Sequence, residues 1–297
     1  MNSLEISVES KSLKMFIDKQ KILIGSNYRK KYFMTRALCS YIRKESLSEF
    51  TIESNMETSV RFDGQRMDAK RWNVYVINSW LDFDDELKMG SKSIIMKFLE
   101  SVLSEIEYDD NFQCLRSTIN VLSDETIKSI SDIFEEELLL NFSIDEFSFK
   151  SLIKLMTVSM LKEGHLAKDY NLEYDDKIFF YLTMIGSIAK KNPGSNYMVI
   201  IDSQDYSNRI KRSIERLPDN CKSIIISTNI MSPVNYNDIL IVGRKDLDLG
   251  NENDLFEKIC LDSAGEIDID QTRNDLESLF AHSFRNMHND RKIQAFL

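Results

Sequence analysis

The chain has 297 residues, 42% of them apolar and 10% aromatic, enough for a real core in one large domain or two smaller ones. Its 9 glycines and 3 prolines, about 3% and 1%, lie far below the usual shares of roughly 7% and 5%. That scarcity excludes an all-β sandwich or barrel, which needs a turn signal every ~8–12 residues, and a collagen-like or Pro-rich disordered chain. The formal net charge is −10, which taken as a sum argues against a nucleic-acid partner.

Residues 5–8, 14–17 and 21–24 read as short strands, alternating or β-branched and separated by polar turns. Gly25-Ser26-Asn27 breaks the third strand, residues 28–43 continue as a helix, and residues 73–77 form a further strand. From Ser91 the period changes. Ile94, Ile95, Phe98, Leu99, Val102, Leu103 and Ile106 recur at steps of one, three and four, which predicts an amphipathic helix over residues 91–108. The same period runs through residues 125–140, 147–161 and 177–189. No proline interrupts residues 91–192, so an all-helical block of about a hundred residues is expected.

Pro193, Pro218 and Pro233 all fall in the stretch that follows. There, residues 197–201, 223–227 and 239–242 are continuous apolar strands, and residues 207–217 carry Ile210, Ile214 and Leu217 at helical spacing. Such runs separated by a helix are what a buried parallel sheet demands. The N-terminal strands are expected in the same sheet, with the helical block inserted between two halves of one α/β domain. Residues 254–261 and 271–287 read as polar helices of a C-terminal extension.

Charge is bipolar. Between Lys11 and Lys44 stand ten basic residues against one acid, and between Glu100 and Glu146 thirteen acids against two bases. The asymmetry points to a polyanion surface on the N-terminal side, to head-to-tail contact between subunits, or to a solvated charge pattern with no partner. A strand running into Gly25 and then a helix is where a phosphate-binding loop would sit. In ILIGSNYRKKYF, however, Lys30 takes the place of the second glycine of G-x-x-x-x-G-K-[ST], and the motif's lysine and hydroxyl are read as absent. Asp202 ends an apolar strand, as would a magnesium ligand of a nucleotide hydrolase or a plain strand-end residue. The two features together suggest that scaffold without its phosphate-binding equipment, so no nucleotide and no ATP turnover are expected.

Other chemistry is sparse. Cys39, Cys114, Cys221 and Cys260 are scattered singly and read as buried thiols. His165, His282 and His288 form no metal or catalytic pair and read as surface residues. Carboxylate clusters at Asp109-Asp110, Glu135-Glu136-Glu137, Asp145-Glu146 and Asp175-Asp176 offer the hard oxygens calcium prefers, or are solvated helix ends. No stretch approaches the ~18 apolar residues of a membrane span, and residues 1–24 lack a signal-peptide pattern, so a cytoplasmic protein without membrane contact is expected. The feature able to carry function is basic. Arg29, Lys30, Lys31 and Arg36, interleaved with Tyr28, Tyr32 and Phe33, sit near a helix N-terminus, followed by Arg43 and Lys44 and by Arg61, Arg66, Lys70 and Arg71. Cations of this kind neutralise backbone phosphates without reading bases.

The strings KILIGSNYRKKYFMTRALCSYI, VRFDGQRMDAKRW, IDEFSFKSLIKLM and YMVIIDSQDYSNRIKRSIERLPDNCKSIIISTN, leading to DILIVG, resemble the ring-forming DNA-end-binding family of type II-A CRISPR adaptation operons. The likeness spans roughly residues 5–242, and the longer tail resembles that family's longer subgroup. It implies an α/β fold: a degenerate phosphate-loop-type head of residues 1–90 and 191–250, an inserted α-helical leg of residues 91–190, and a short helical C-terminal extension, residues 251–297. It further implies a non-enzymatic homotetrameric ring that takes the ends of double-stranded DNA in spacer acquisition, beside the CRISPR integrase proteins and effector nuclease. The family's calcium ions are held by acids of the leg, which match Asp145 and Glu146 here, with Asn141, Leu139 and Ser151 at other ligand positions. Two alternatives remain open: a divergent nucleotide hydrolase using Asp202, and a protein-only interaction module.

Overall fold

The structure is a computed structural model, and it describes residues 2–44, 57–90, 93–131, 147–162, 164–243 and 246–251. The chain opens with β1 (Asn2–Val8), β2 (Lys11–Ile17), β3 (Gln20–Ile24) and α1 (Tyr28–Arg43). Next come β4 (Thr58–Phe62), β5 (Gln65–Arg66) and β6 (Trp72–Ile77), then α2 (Phe83–Glu86), α3 (Ile94–Val102), α4 (Asp110–Ser131) and α5 (Phe149–Lys154). A hairpin of β7 (Met160–Lys162) and β8 (His165–Ala167) precedes α6 (Tyr174–Lys191). The chain then runs through β9 (Asn196–Asp202), β10 (Asp205–Tyr206), α7 (Asn208–Glu215), β11 (Cys221–Ile226), β12 (Asn229–Ile230), β13 (Ile239–Ile241) and β14 (Leu247–Asp248).

The central sheet has the order β14-β13-β3-β11-β9-β6, with all neighbours parallel except the edge pair β13 and β14. Its strands are apolar on both faces. Met198 and Ile200 join one core cluster with Leu23, Ile224 and Ile226, while Val199 and Ile201 point the other way and are equally buried. This is the α/β architecture expected from the apolar runs. Of the strands expected before the helical block, β3 and β6 belong to it. β1 and β2 form a separate antiparallel sheet, β2-β1-β4-β5, which corrects the single-sheet expectation. The reason lies in their pattern: Leu4, Ile6, Val8, Leu13, Met15 and Ile17 alternate with polar residues and bury one face only, which suits a sheet with a solvated side. That buried face packs on the cluster shared with Met34, Leu38 and Ile42 of α1.

The described chain divides into two compact units, one running up to Leu81 and resuming at Glu173, the other Asp82–Leu172. The boundaries therefore differ from 91 and 190, and α6 belongs to the first unit rather than to the helical insertion. The insertion is also not all-helical. α3 ends at Val102 and passes into a 3₁₀ turn, Ser104–Tyr108, and α5 stops at Lys154. The hairpin β7–β8 follows, with Gly164 at φ +81 beside its turn. Its own small core is Met96, Phe112, Phe149 and Ile153, with Phe149 edge-on to Phe112 at 5.8 Å. The expected helices within residues 251–297, and the part of the 125–140 helix beyond Ser131, lie outside the described residues.

Candidate nucleic-acid interface

The turn from β3 into α1 is closed by the protein's own atoms. Gly25 has φ +99, and a Cβ there would lie 2.6 Å from the Val242 carbonyl oxygen, so close approach to the end of β13 requires glycine. The Val242 amide donates to the Ile24 carbonyl at 2.9 Å, and the Asn27 amide donates to the Val242 carbonyl at 3.2 Å. Asn27 caps α1, its side-chain oxygen accepting from the Lys30 amide at 3.0 Å. Counted from Gly25, Lys31 does stand at the lysine position of a phosphate loop, correcting the reading that this lysine is absent. Its ammonium folds back and donates to the Gly25 carbonyl at 3.0 Å, and 1% of the residue is exposed. Burial pushes the Lys31 ammonium down to about 8, partly offset by the negative charge of Asp202. Lys30 is half-buried and pairs with Asp246 at 2.5 Å. Two of the ten cations assigned to a surface patch are thus turned inward, and Arg29 alone stays exposed in this first turn.

The others gather near the far end of α1 and on the neighbouring sheet. Arg43 and Lys44 are exposed, Lys44 closing the helix in the left-handed conformation at φ +58. The pairing register sets Lys14, Glu5, Arg61 and Arg66 side by side across β2, β1, β4 and β5, on the face opposite the core. The adjacent row on that face is Ser12, Ser7 and Ser59. Asp63-Gly64 makes the two-residue hairpin turn that brings Arg66 beside Arg61, both residues at positive φ, while Asp63 accepts from the Ser3 amide at 2.7 Å. Tyr41 of α1 donates to the Met67 carbonyl at 2.7 Å and accepts from Arg66 Nε at 3.4 Å, linking helix end to hairpin. Lys70 and Arg71 follow on an exposed 3₁₀ turn capped by Asp68, whose carboxylate lies 3.7 Å from Arg71 Nε. Lys14 was not assigned to the patch; strand alternation, which turns it away from Leu13 and Met15, is the signal that finds it.

Arg36 and Arg43 also line a cleft of about 390 Å³ between α1 and the sheet. The helix contributes Tyr32, Thr35, Cys39 and Ser40 besides; the strand ends contribute Val76, Asn78, Ile200, Asp202 and Ile226. Asp202 Oδ2 accepts from the Tyr28 hydroxyl at 3.1 Å, and its carbonyl from the Tyr174 hydroxyl at 2.6 Å. Tyr28 lies at half exposure, stacked on Tyr32 at 6.5 Å.

Asn141, Asp145 and Glu146, the expected calcium ligands, lie outside the described residues, as do Glu135-Glu136-Glu137 and Leu139. Among the described residues no group of three or more His, Cys, Asp or Glu side chains could hold a metal. Asp175 instead accepts from Ser207 Oγ at 2.6 Å, and Asp176 pairs with Arg209 at 2.5 Å. Cys39 and Cys221 are buried free thiols and Cys114 is exposed, which corrects the expectation for the last; Cys260, His282 and His288 are outside the described residues, and His165 is exposed. No described helix is long and apolar enough to cross a membrane.

A mostly parallel-sheet α/β fold whose β3–α1 turn is closed by the backbone of Val242 and the ammonium of Lys31 defines the class of this protein. It is similar to the crystal structure of Stu0660 of Streptococcus thermophilus, with a TM-score of 0.67 and 12% sequence identity over 94% of this chain and 86% of that one. No protein-family model matches the sequence, and no curated protein matches it.

Proposed function

We propose that this chain is a non-enzymatic, sequence-independent binder of double-stranded DNA ends, acting as a homotetrameric ring accessory to CRISPR spacer acquisition beside the integrase proteins and the effector nuclease. The observation that carries the reading is the outward row of Lys14, Arg61 and Arg66, interrupted by Glu5 alone and flanked by a row of serines. Cations and hydroxyls on an open sheet face contact phosphate oxygens, which fix position on a duplex and carry no base information. The family resemblance of the sequence supplies the ring, the DNA end and the adaptation context. The closed β3–α1 turn supports a role without nucleotide turnover, because Lys31 is spent on the Gly25 carbonyl. Calcium belongs to the proposal only through Asn141, Asp145 and Glu146, and no step of DNA binding is routed through it. The test is a competition between linear and covalently closed duplex of equal length. Linear duplex should be retained and lost steeply as salt rises; equal retention of closed circles would sink the threaded ring.

A further inference from the structure

On α1, Tyr32, Arg36, Cys39, Ser40 and Arg43 recur at steps of three and four and share one face. Met34, Ala37, Leu38 and Ile42 are committed to the core, and Cys39 borders both core and cleft. Where a packed interior would place leucines, the cleft face carries Thr35, Cys39 and Ser40, whose short side chains leave about 390 Å³ open against the ends of β6, β9 and β11. That volume falls within the roughly 300–1,000 Å³ of small-molecule sites. The space outside the carboxyl ends of parallel strands is also where open α/β sheets take ligands.

The walls of the cleft are polarised. Asp202, held by the Tyr28 hydroxyl near the start of α1, offers a carboxylate acceptor. Arg36 at the middle of α1 and Arg43 in its last turn, seven residues apart and so roughly 10 Å along the helix axis, line the cleft with positive charge. Val76, Ile200 and Ile226 form an apolar floor. A matching molecule has an anionic end, a flat apolar body and hydroxyl or amine donors. We propose that this cleft binds a nucleoside 5′-monophosphate, either free or as the terminal nucleotide of a DNA strand, with its phosphate on Arg36 and Arg43 and its sugar hydroxyl or base amine on Asp202. The phosphate then lies away from the β3–α1 turn, which Lys31 fills. The proposal rests on the cleft and stands apart from the duplex-binding face.

Calorimetric titration of the full chain with dAMP tests it. Saturable binding with a dissociation constant of roughly 1 mM or tighter is expected. Deoxyadenosine and inorganic phosphate should each bind at least about tenfold more weakly, since each supplies half of the contacts. Arg36→Gln and Arg43→Gln should weaken dAMP at least about tenfold, and Ser40→Leu should abolish it by filling the cleft without touching a charge. Arg43 is exposed, so Arg43→Gln keeps the test decisive should Ser40→Leu fail to fold. No heat up to about 10 mM dAMP, or equal binding by wild type and Arg43→Gln, overturns the proposal. Displacement of a 5′-phosphorylated duplex by dAMP assigns the strand end as the occupant, and dAMP binding that leaves duplex affinity unchanged assigns the free nucleotide. Binding of dAMP by a chain that binds no duplex keeps the cleft and overturns the DNA reading instead.

Discussion

Lys31 and Arg43 stand twelve residues apart on one helix and meet opposite fates. At the first turn of α1, Lys31 is buried against the Gly25 carbonyl and Lys30 is held by Asp246. At the last turn Arg43 and Lys44 are exposed, and the antiparallel sheet on which α1 packs bears Lys14, Arg61 and Arg66 on its opposite face. Basic side chains thus serve as internal struts in one region and as candidate phosphate contacts in the other. What separates them is the neighbouring backbone. Val242, Gly243 and Asp246, which follow β13, close over the start of the helix, whereas beyond it α1 packs on the single-faced antiparallel sheet.

The sharpest way to break the inward half of the comparison is at Asp248. Its carboxylate pairs with the fully buried Lys21 and also accepts from the Phe16 and Gly250 amides at 2.6 and 2.8 Å. Burial moves both partners toward neutrality, lowering the Lys21 ammonium and raising the Asp248 carboxyl, and each holds the other back in part. Removing one partner strands a buried charge, so Asp248→Ala should cost about 3–5 kcal/mol in a urea unfolding experiment. An effect under about 1 kcal/mol would mean that the cation reaches water once its partner is gone.

Lys31 gives a smaller effect with a defined pH dependence. Its folded value of about 8 lies below the 10.5 of an ordinary lysine, so at neutral pH the folded state holds a charge that its surroundings disfavour. Between about 8 and 10.5 the unfolded chain still carries a proton that the folded chain has released, and stability rises with pH across that window. The gain is at most about 3 kcal/mol. Lys31→Met should lack this rise, so the difference in unfolding free energy between wild type and variant should shift in favour of wild type from pH 7.5 to pH 9.5. A constant difference would show that the ammonium is solvated in the folded state.

How much of this was open to inspection in the sequence follows from the range of each interaction. The strands at 20–24, 196–202 and 221–226 were legible because an apolar run bounded by breakers has few other readings. Asp63-Gly64 is an equally local hairpin signal that went unread, and with it the alignment of Arg61 with Arg66. The burial of Lys31 and Lys21 was not legible. Lys31 donates to Gly25, whose turn is closed by Val242, and Lys21 to Asn237 and Asp248; the last three come within reach only when β13 and β14 join β3, more than two hundred residues on in the chain. Helical period misled at residues 155–161, where Leu155, Met156, Met160 and Leu161 suit a helix by spacing but Gly164 turns the chain into a hairpin. The cleft was illegible for the same reason as Lys31, since Arg36 lines it together with Ile200 and Asp202, more than 160 residues on in the chain.

The outward half of the comparison has the smallest expected effect on folding and the clearest one on binding. Arg61 and Arg66 are exposed, and neither is committed to the core, so Arg61→Ala and Arg66→Ala should each change stability by less than about 0.5 kcal/mol. If each contacts one phosphate, the slope of log affinity against log salt for a linear duplex should fall by about one per substitution, equally for sequences of different composition. Lys30→Ala, which removes a cation already neutralised by Asp246, should leave that slope unchanged while lowering stability. A reversed result, with Lys30 setting the slope and Arg61 and Arg66 silent, would move the interface to the start of α1 and require the Asp246 pair to open on binding.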